Sequence, residues 1–176
     1  MSLKSGVKNA TRTVVKAFAP DPGGTETDIL DTLKKEHDEV KSLLLDLQDA
    51  ASPGKRRALV QKIKKALVPH TKAEEKVVYD AVIKLPDRDA QTDGYEGYLE
   101  HEWASKTLQR LDSIANASSP EHKAAGKVLK ELVEHHINDE ERNIWSDVKK
   151  NFSEEDRARM NLAFEMAKRR VKIVLI

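Results

Sequence analysis

Along four long stretches of this chain the apolar residues recur every three or four positions, which is the period of a helix face. The first runs Leu30, Leu33, Val40, Leu44 and Leu47, with His37 standing where the stripe calls for another apolar residue. The second runs Leu59, Ile63 and Leu67, continues through His70 and Glu74, and resumes at Val77 or Val78 and Ala81. The third is less regular: Gly94, Gly97, His101, Ala104 or Ser105, Leu108 and Leu111. The fourth runs Leu129, Val133, His136, Glu140, Ile144 and Val148. No alternating strand pattern competes with these.

Helix start and stop signals bound the stretches. Thr25 with Asp28 reads as a capping box, and Ser52-Pro53 and Ser119-Pro120 each place a capping serine before a proline at the first helical position. Pro86-Asp87 closes the second helix and caps the third, and Ser153 precedes three acids that suit a helix N-terminus. The pattern predicts helices over about 25–50, 53–84, 88–115 and 120–149, and a fifth over about 154–173. Short connections make neighbours antiparallel. The expected fold is all-α: an antiparallel up-down four-helix bundle over 25–150, with a basic extension at 1–24. An extra C-terminal helix within 151–176 should pack on the bundle or on a partner.

The stretches also repeat. Ser52-Pro53 returns at Ser119-Pro120, Glu36-His37-Asp38 at Glu100-His101-Glu102, and His70-x-x-x-Glu74-Glu75 at His136-x-x-x-Glu140-Glu141, all after 64 to 67 residues. Two helical hairpins of one design would pack with approximate two-fold symmetry.

Composition narrows the chemistry. The 176 residues hold no cysteine, which excludes thiolate zinc sites, iron–sulfur clusters and cysteine nucleophiles. Charged residues make up 35% and aromatics 5%, a balance that suits amphipathic helices. No apolar run approaches the roughly 20 residues of a membrane span, so a cytoplasmic protein is expected, with no membrane partner. The net charge of +1 disfavours nucleic acid as a partner. One local feature points the other way. Helix 2 carries Lys55, Arg56, Arg57, Lys62, Lys64 and Lys65, with no acid from Gly54 to Ala73. That basic face is either an interaction surface or a solvated face balanced by neighbouring acids.

Each of the four main helices thus puts one histidine on its inward face near mid-length, and two add a glutamate one turn on. A lone inward histidine is ordinarily satisfied by a backbone carbonyl. Four with two carboxylates and no inward Lys or Arg ask for a cation instead, because an unpaired buried carboxylate costs several kcal/mol. Imidazole with carboxylate suits iron, zinc, manganese, nickel or copper, and six donors suit two ions better than one tetrahedral zinc. His37 and His70 should serve one ion, His101 and His136 the other, with Glu74 and Glu140 between them. His135 and His122 fall off the stripes and read as surface or supporting residues. Glu75 and Glu141 read as solvated or supporting, and Tyr79 and Trp145 as core packing at the far end of the bundle.

As a set, His37, His70-x-x-x-Glu74, His101 and His136-x-x-x-Glu140 resemble the hemerythrin family, specifically its bacterial-type HHE cation-binding domains. The resemblance covers about residues 25–150. It implies two iron ions with an oxo or hydroxo bridge, for which zinc or manganese could substitute. It also implies a protein that senses, binds or handles O2, NO, oxidants or iron, or an enzyme that turns over peroxide or NO. In the animal oxygen carriers a further histidine follows the third-helix histidine by one turn, where this chain has Ser105. Their last carboxylate stands one residue later, where this chain has Glu141. Ser105, too short to ligate, should leave an exchangeable position for a small diatomic ligand or anion such as azide, with Tyr98 as a further contact. Gly94 and Gly97 should thin the wall and open a path to it. The apolar end of the chain allows a homodimer.

Overall fold

The structure is a computed structural model that describes residues 27–173. The expected extension at 1–24, Thr25 and the last three residues of the apolar tail lie outside it. Among the described residues every regular element is a helix. Helix α1 spans Ile29–Asp49 and α2 Pro53–Glu74; α2 runs on through a π-helical turn, Glu75–Tyr79, into a last turn Asp80–Val82. Helix α3 spans Arg88–Ser113, α4 Pro120–Arg142, α5 Ile144–Asn151 and α6 Glu154–Arg170.

The caps explain most of these boundaries. Ser52 Oγ accepts from the Lys55 amide and Ser119 Oγ from the His122 amide, and in both helices proline follows at the first position. Asp87 starts α3 by accepting from the Asp89 amide. Asp28 caps α1, its carboxylate accepting from the Leu30 amide; the Thr25 half of the expected capping box lies outside the described residues. The stretch expected as one helix over 120–149 is interrupted at Asn143, so that α5 continues α4 after a break.

The four long helices close a ring in which α1 packs on α2 and α4, and α3 packs on α2 and α4. Their inward faces hold two apolar clusters. One gathers Val40, Leu44, Leu59, Ile63, Leu108, Leu129 and Val133. The other gathers Leu33, Val78, Tyr79, Val82, Trp145, Phe152 and Phe164. His37, His70, Glu74, His101, His136 and Glu140 are all buried as well. On α1, His37 follows Leu33 of one cluster and precedes Val40 of the other, which puts the polar layer between them.

Helix α6 lies against α1 and α2. Its Met160, Ala163 and Phe164 enter the second cluster, and Arg157 Nε donates to Asp28 Oδ2 at 2.6 Å. A capping box at Ser153 and Asp156 starts this helix.

Candidate metal centre

Each of the four inward imidazoles has one nitrogen turned out and one turned in. On the outer side His37 Nδ1 lies 3.1 Å from Glu141 Oε1, His70 Nδ1 2.9 Å from Glu36 Oε2, and His136 Nδ1 2.7 Å from Glu100 Oε2. His101 Nδ1 is 3.4 Å from Glu75 Oε1, without the alignment of a hydrogen bond. A carboxylate can only accept, so each bonded Nδ1 carries a proton, and in the neutral ring the Nε2 lone pair then faces inward. That is the arrangement in which a histidine binds a metal while a carboxylate fixes its tautomer and tilt. The partners follow the sequence repeat. Glu36 and Glu100, each just before a histidine, serve the histidine of the next helix; Glu75 and Glu141, each just after an inward glutamate, serve the other two. The contact with His37 holds Glu141 below the usual carboxylate range. Burial works against ionisation at Glu36 and Glu100, yet their histidine partners still leave both low.

On the inner side the two buried glutamates span the histidine pairs. Glu74 Oε2 is 3.3 Å from His70 Nε2 and 3.5 Å from His101 Nε2. Glu140 Oε2 is 3.5 Å from His37 Nε2 and from His136 Nε2. The rings of His37 and His70 stand 5.1 Å apart, and those of His101 and His136 4.6 Å. His37, His70 and Glu74 form one group able to hold an ion, and Glu74, His101 and His136 another, with Glu74 common to both.

The layer is incomplete as a purely organic core. Glu140 has no hydrogen-bond partner on either oxygen, and Glu74 Oε1 and His37 Nε2 have none either. Orphaned buried polar atoms are rare because each costs about 1–3 kcal/mol, more when charged. Burial drives Glu140 well above the ordinary range, and the neighbouring Glu74 carboxylate pushes it further. Glu74 goes the opposite way: burial would raise it, but His70 more than offsets this. His70 is lifted to about 9 by Glu74 and Glu36 despite burial, whereas burial takes His101 down to about 4. Two carboxylates this close cannot both stay charged in a dry layer without cations. The donors present therefore fit a metal: imidazole nitrogen and carboxylate oxygen aimed inward, with His37 Nε2, Glu74 Oε1 and both Glu140 oxygens unpartnered.

One residue in the layer was not expected there. The Tyr79 hydroxyl is buried among the ligand candidates, 3.3 Å from Nε2 of both His101 and His136 and 3.5 Å from Glu74 Oε2. The π-helical turn brings it in, and Gly97 makes room for it: a Cβ on Gly97 would stand 2.7 Å from Tyr79 Cζ. A Cβ on Gly94 would likewise stand 2.7 Å from Ile83 Cγ2. The two glycines accommodate side chains of α2 rather than open a wide path. Trp145 is also at the layer, not at the far end, with its indole stacked on the His37 ring at 5.8 Å. Phe164 of α6 meets the His70 ring edge-on at 5.9 Å.

The remaining candidates fall outside the layer. Ser105 is half-buried and its Oγ accepts from Gln109 Nε2 at 3.4 Å. Tyr98 packs on Tyr79 and turns its hydroxyl to the Glu75 carbonyl oxygen, 2.9 Å, and to Asp80 Oδ1, 2.8 Å. It thus braces the π-helical turn. His122, expected at the surface or as a supporting residue, is buried and lines a cavity together with Arg57 and Leu111. His135 is exposed as expected. Half of the basic face of α2 is engaged: Arg56 and Arg57 donate to the carbonyls of Ala50, Ala117 and Ala115, and Lys64 pairs with Asp112. Among the described residues no helix is long and apolar enough to cross a membrane.

A helical ring that closes on four histidines and two glutamates defines a cation-binding protein of the hemerythrin type. The chain belongs to the Hemerythrin HHE cation binding domain family, which it matches over residues 28–156. Among curated relatives it is similar to a DNA nickase of Nostoc sp. (strain PCC 7120 / SAG 25.82 / UTEX 2576), with 26% identity over 175 residues. That alignment takes in 95% of this chain but 49% of the nickase, so the chain spans about half the length of this relative. No solved structure matches it significantly.

Proposed function

We propose that this chain folds as an up-down four-helix bundle that holds two iron ions and uses them to bind, sense or handle O2, NO, oxidants or iron itself. His37 and His70 hold one ion, His101 and His136 the other, and Glu74 and Glu140 lie between them. The observation that carries this reading is the buried pair of glutamates, three of their four oxygens unpartnered, each reaching one histidine of each pair. Iron at such a site supplies redox chemistry and positions for small ligands. The chain's own residues do the rest. Glu36, Glu100 and Glu141 hold three of the imidazole tautomers, Trp145 and Phe164 exclude water from two of the rings, and the Tyr79 hydroxyl offers a proton or an oxygen donor beside His101 and His136. The test is metal content after anaerobic iron loading, with Mössbauer spectra of the product. Two irons per chain in the parent and fewer in Glu74→Ala and Glu140→Ala are expected. A single tetrahedral ion would overturn the proposal.

A second reading comes from the nickase relative, whose similarity extends over nearly the whole of this chain. On that reading the iron-loaded protein breaks one strand of duplex DNA, with Lys62 and Lys65 beside an open groove of about 560 Å3 as the charges to meet phosphate; Lys168 at the same groove is paired with Glu36 and Glu165. Conversion of supercoiled plasmid to the relaxed form by the iron-loaded protein, but not by the metal-free protein, would favour it. No relaxation at low salt would remove it.

A further inference from the structure

A narrow crevice passes between α3 and α4 beside Gly97. Asp93, Glu96 and Glu100 line it from α3, and His136, Asp139 and Glu140 from α4. Its free volume is about 10 Å3, the scale of one water molecule. Its inner end is Glu140, which is buried and has no hydrogen-bond partner on either oxygen. Two of its lining residues, Glu100 and Asp139, join the exposed His135 in a group whose donor atoms all lie within 4.8 Å of one another.

These three are arranged rather than merely near. His135 Nε2 is 3.3 Å from Asp139 Oδ2 and 3.6 Å from Glu100 Oε1. The other oxygen of each carboxylate is anchored, Glu100 Oε2 by His136 Nδ1 at 2.7 Å and Asp139 Oδ1 by Arg142 at 2.6 Å. Each acid therefore turns one free oxygen toward the same imidazole. Negative charge gathers around the opening. Asp93 is pushed above its ordinary range by burial and by Asp147, Glu96, Asp89 and Asp87. A surface pair of His135 and Asp139 one turn apart would be unremarked alone. Here it adjoins a crevice whose lining holds five acids, Asp93, Glu96, Glu100, Asp139 and the buried, unpartnered Glu140. A fully hydrated ion is too large for a passage of one-water width, so it must exchange water for protein ligands at the opening.

We propose that Glu100, His135 and Asp139 form an outer site for a divalent transition-metal ion, where metal is taken from solution and delivered along the crevice to Glu140 and His136. One imidazole and two carboxylates suit Fe2+, Mn2+ or Zn2+. The delivery step rests on the two-metal reading above; the outer site rests on its own geometry. Glu100 links the two, since one of its oxygens faces the outer site while the other holds His136.

The experiment compares the full chain with His135→Ala/Asp139→Asn. Glu100 is left intact because it also positions His136. The metal-free proteins are mixed with Fe2+ under anaerobic conditions, and occupancy is followed in time. Separately, Mn2+ binding to protein whose inner sites are already filled is followed by electron paramagnetic resonance. The expected result is loading on the order of tenfold slower in the variant, as for loss of electrostatic steering, with the same final inner occupancy. The parent should also bind one extra Mn2+ that the variant does not. Equal loading rates overturn delivery, and no extra Mn2+ in the parent overturns the outer site. Lower final inner occupancy in the variant overturns the proposal too, because these side chains would then belong to the centre itself. A parent that takes up no inner iron overturns the two-metal reading and delivery with it. The outer site is then judged by Mn2+ binding to the metal-free chain, parent against variant.

Discussion

Tyr79 and Gly97 form a pair that either residue alone would not reveal. The glycine leaves the volume and the tyrosine ring fills it, so a methyl group at Gly97 must displace the ring or part α2 from α3. Gly97→Ala should destabilise the protein by about 1–3 kcal/mol, the usual cost of overpacking. Truncating the ring in the same molecule should recover part of that cost. A double-mutant cycle with Tyr79→Leu, read by urea denaturation, should show less-than-additive loss; additive losses would mean that the two side chains do not meet. The outer carboxylates give a second contrast at this scale. Of the layer's nitrogens Glu141 meets the outer one of His37, its other contact being Lys34, whereas Glu140 faces the inner nitrogens of His37 and His136. Glu141→Ala should keep two metals but weaken their binding by roughly 10–100-fold, the usual effect of removing a ligand's supporting partner. Glu140→Ala should lose at least one metal. Equal loss in both, measured by metal titration, would reverse their assigned roles.

Among the elements, α6 is the one whose placement joins the bundle to the site. Its Phe164 is fully buried and meets the His70 ring. Phe164→Ala should cost about 3–5 kcal/mol in chemical denaturation, as for other buried phenylalanines; a loss under about 1 kcal/mol would mean that α6 is only loosely held. The start of α6 adds a pH dependence. Burial works against ionisation of Asp156, but Ser153 and Arg159 outweigh it and leave the folded-state value below the ordinary 3.8. A lowered value means that the contribution is present in full above that ordinary value and is lost as pH falls through the folded one. The stability difference between the parent and Asp156→Ala should therefore be constant from neutral pH down to about 5 and shrink below about 4. A difference unchanged at low pH would show that the carboxylate charge plays no part. The same scale shows what the sequence could reveal. The seam positions of α1, α2 and α4 were readable because each helix is regular up to its histidine. The serine–proline starts were readable because capping is local chemistry. Tyr79 was not readable, since it lies five residues after Glu74, which in an α-helix turns it to another face. The π-helical turn holds one more residue per turn and brings it back toward the layer. The Asn143 break likewise brings Trp145 onto His37. The outer carboxylates were half visible: Glu36 and Glu100 stood in the repeat beside their histidines, but only the packing of α1 on α2 and of α3 on α4 shows which ring each serves.

At the scale of the whole molecule the polar layer divides one core into two, and its cost falls on the metal-free state. Without cations the layer keeps a charged Glu74 beside a protonated His70, a Glu140 held neutral by burial, and several orphaned atoms. The apolar clusters on either side hold the helices together whether or not the layer is filled, so the metal-free protein should be folded but weakened. Ions that bind only the folded chain add stability by mass action, about 2.7 kcal/mol at a hundredfold excess over the dissociation constant. For a chain of this size that amounts to a rise of about 5–10 °C in melting temperature. Calorimetry of the iron-loaded and the chelator-treated protein should show this shift, and Glu74→Ala/Glu140→Ala should abolish most of it. The same double variant, without metal, should melt no lower than the metal-free parent by more than the cavity it creates, because it also removes two carboxylates that the layer cannot satisfy alone. An iron-dependent shift that survives in the double variant would place the stabilising ions elsewhere on the molecule, and the layer would then have to be explained as a purely structural network of histidines.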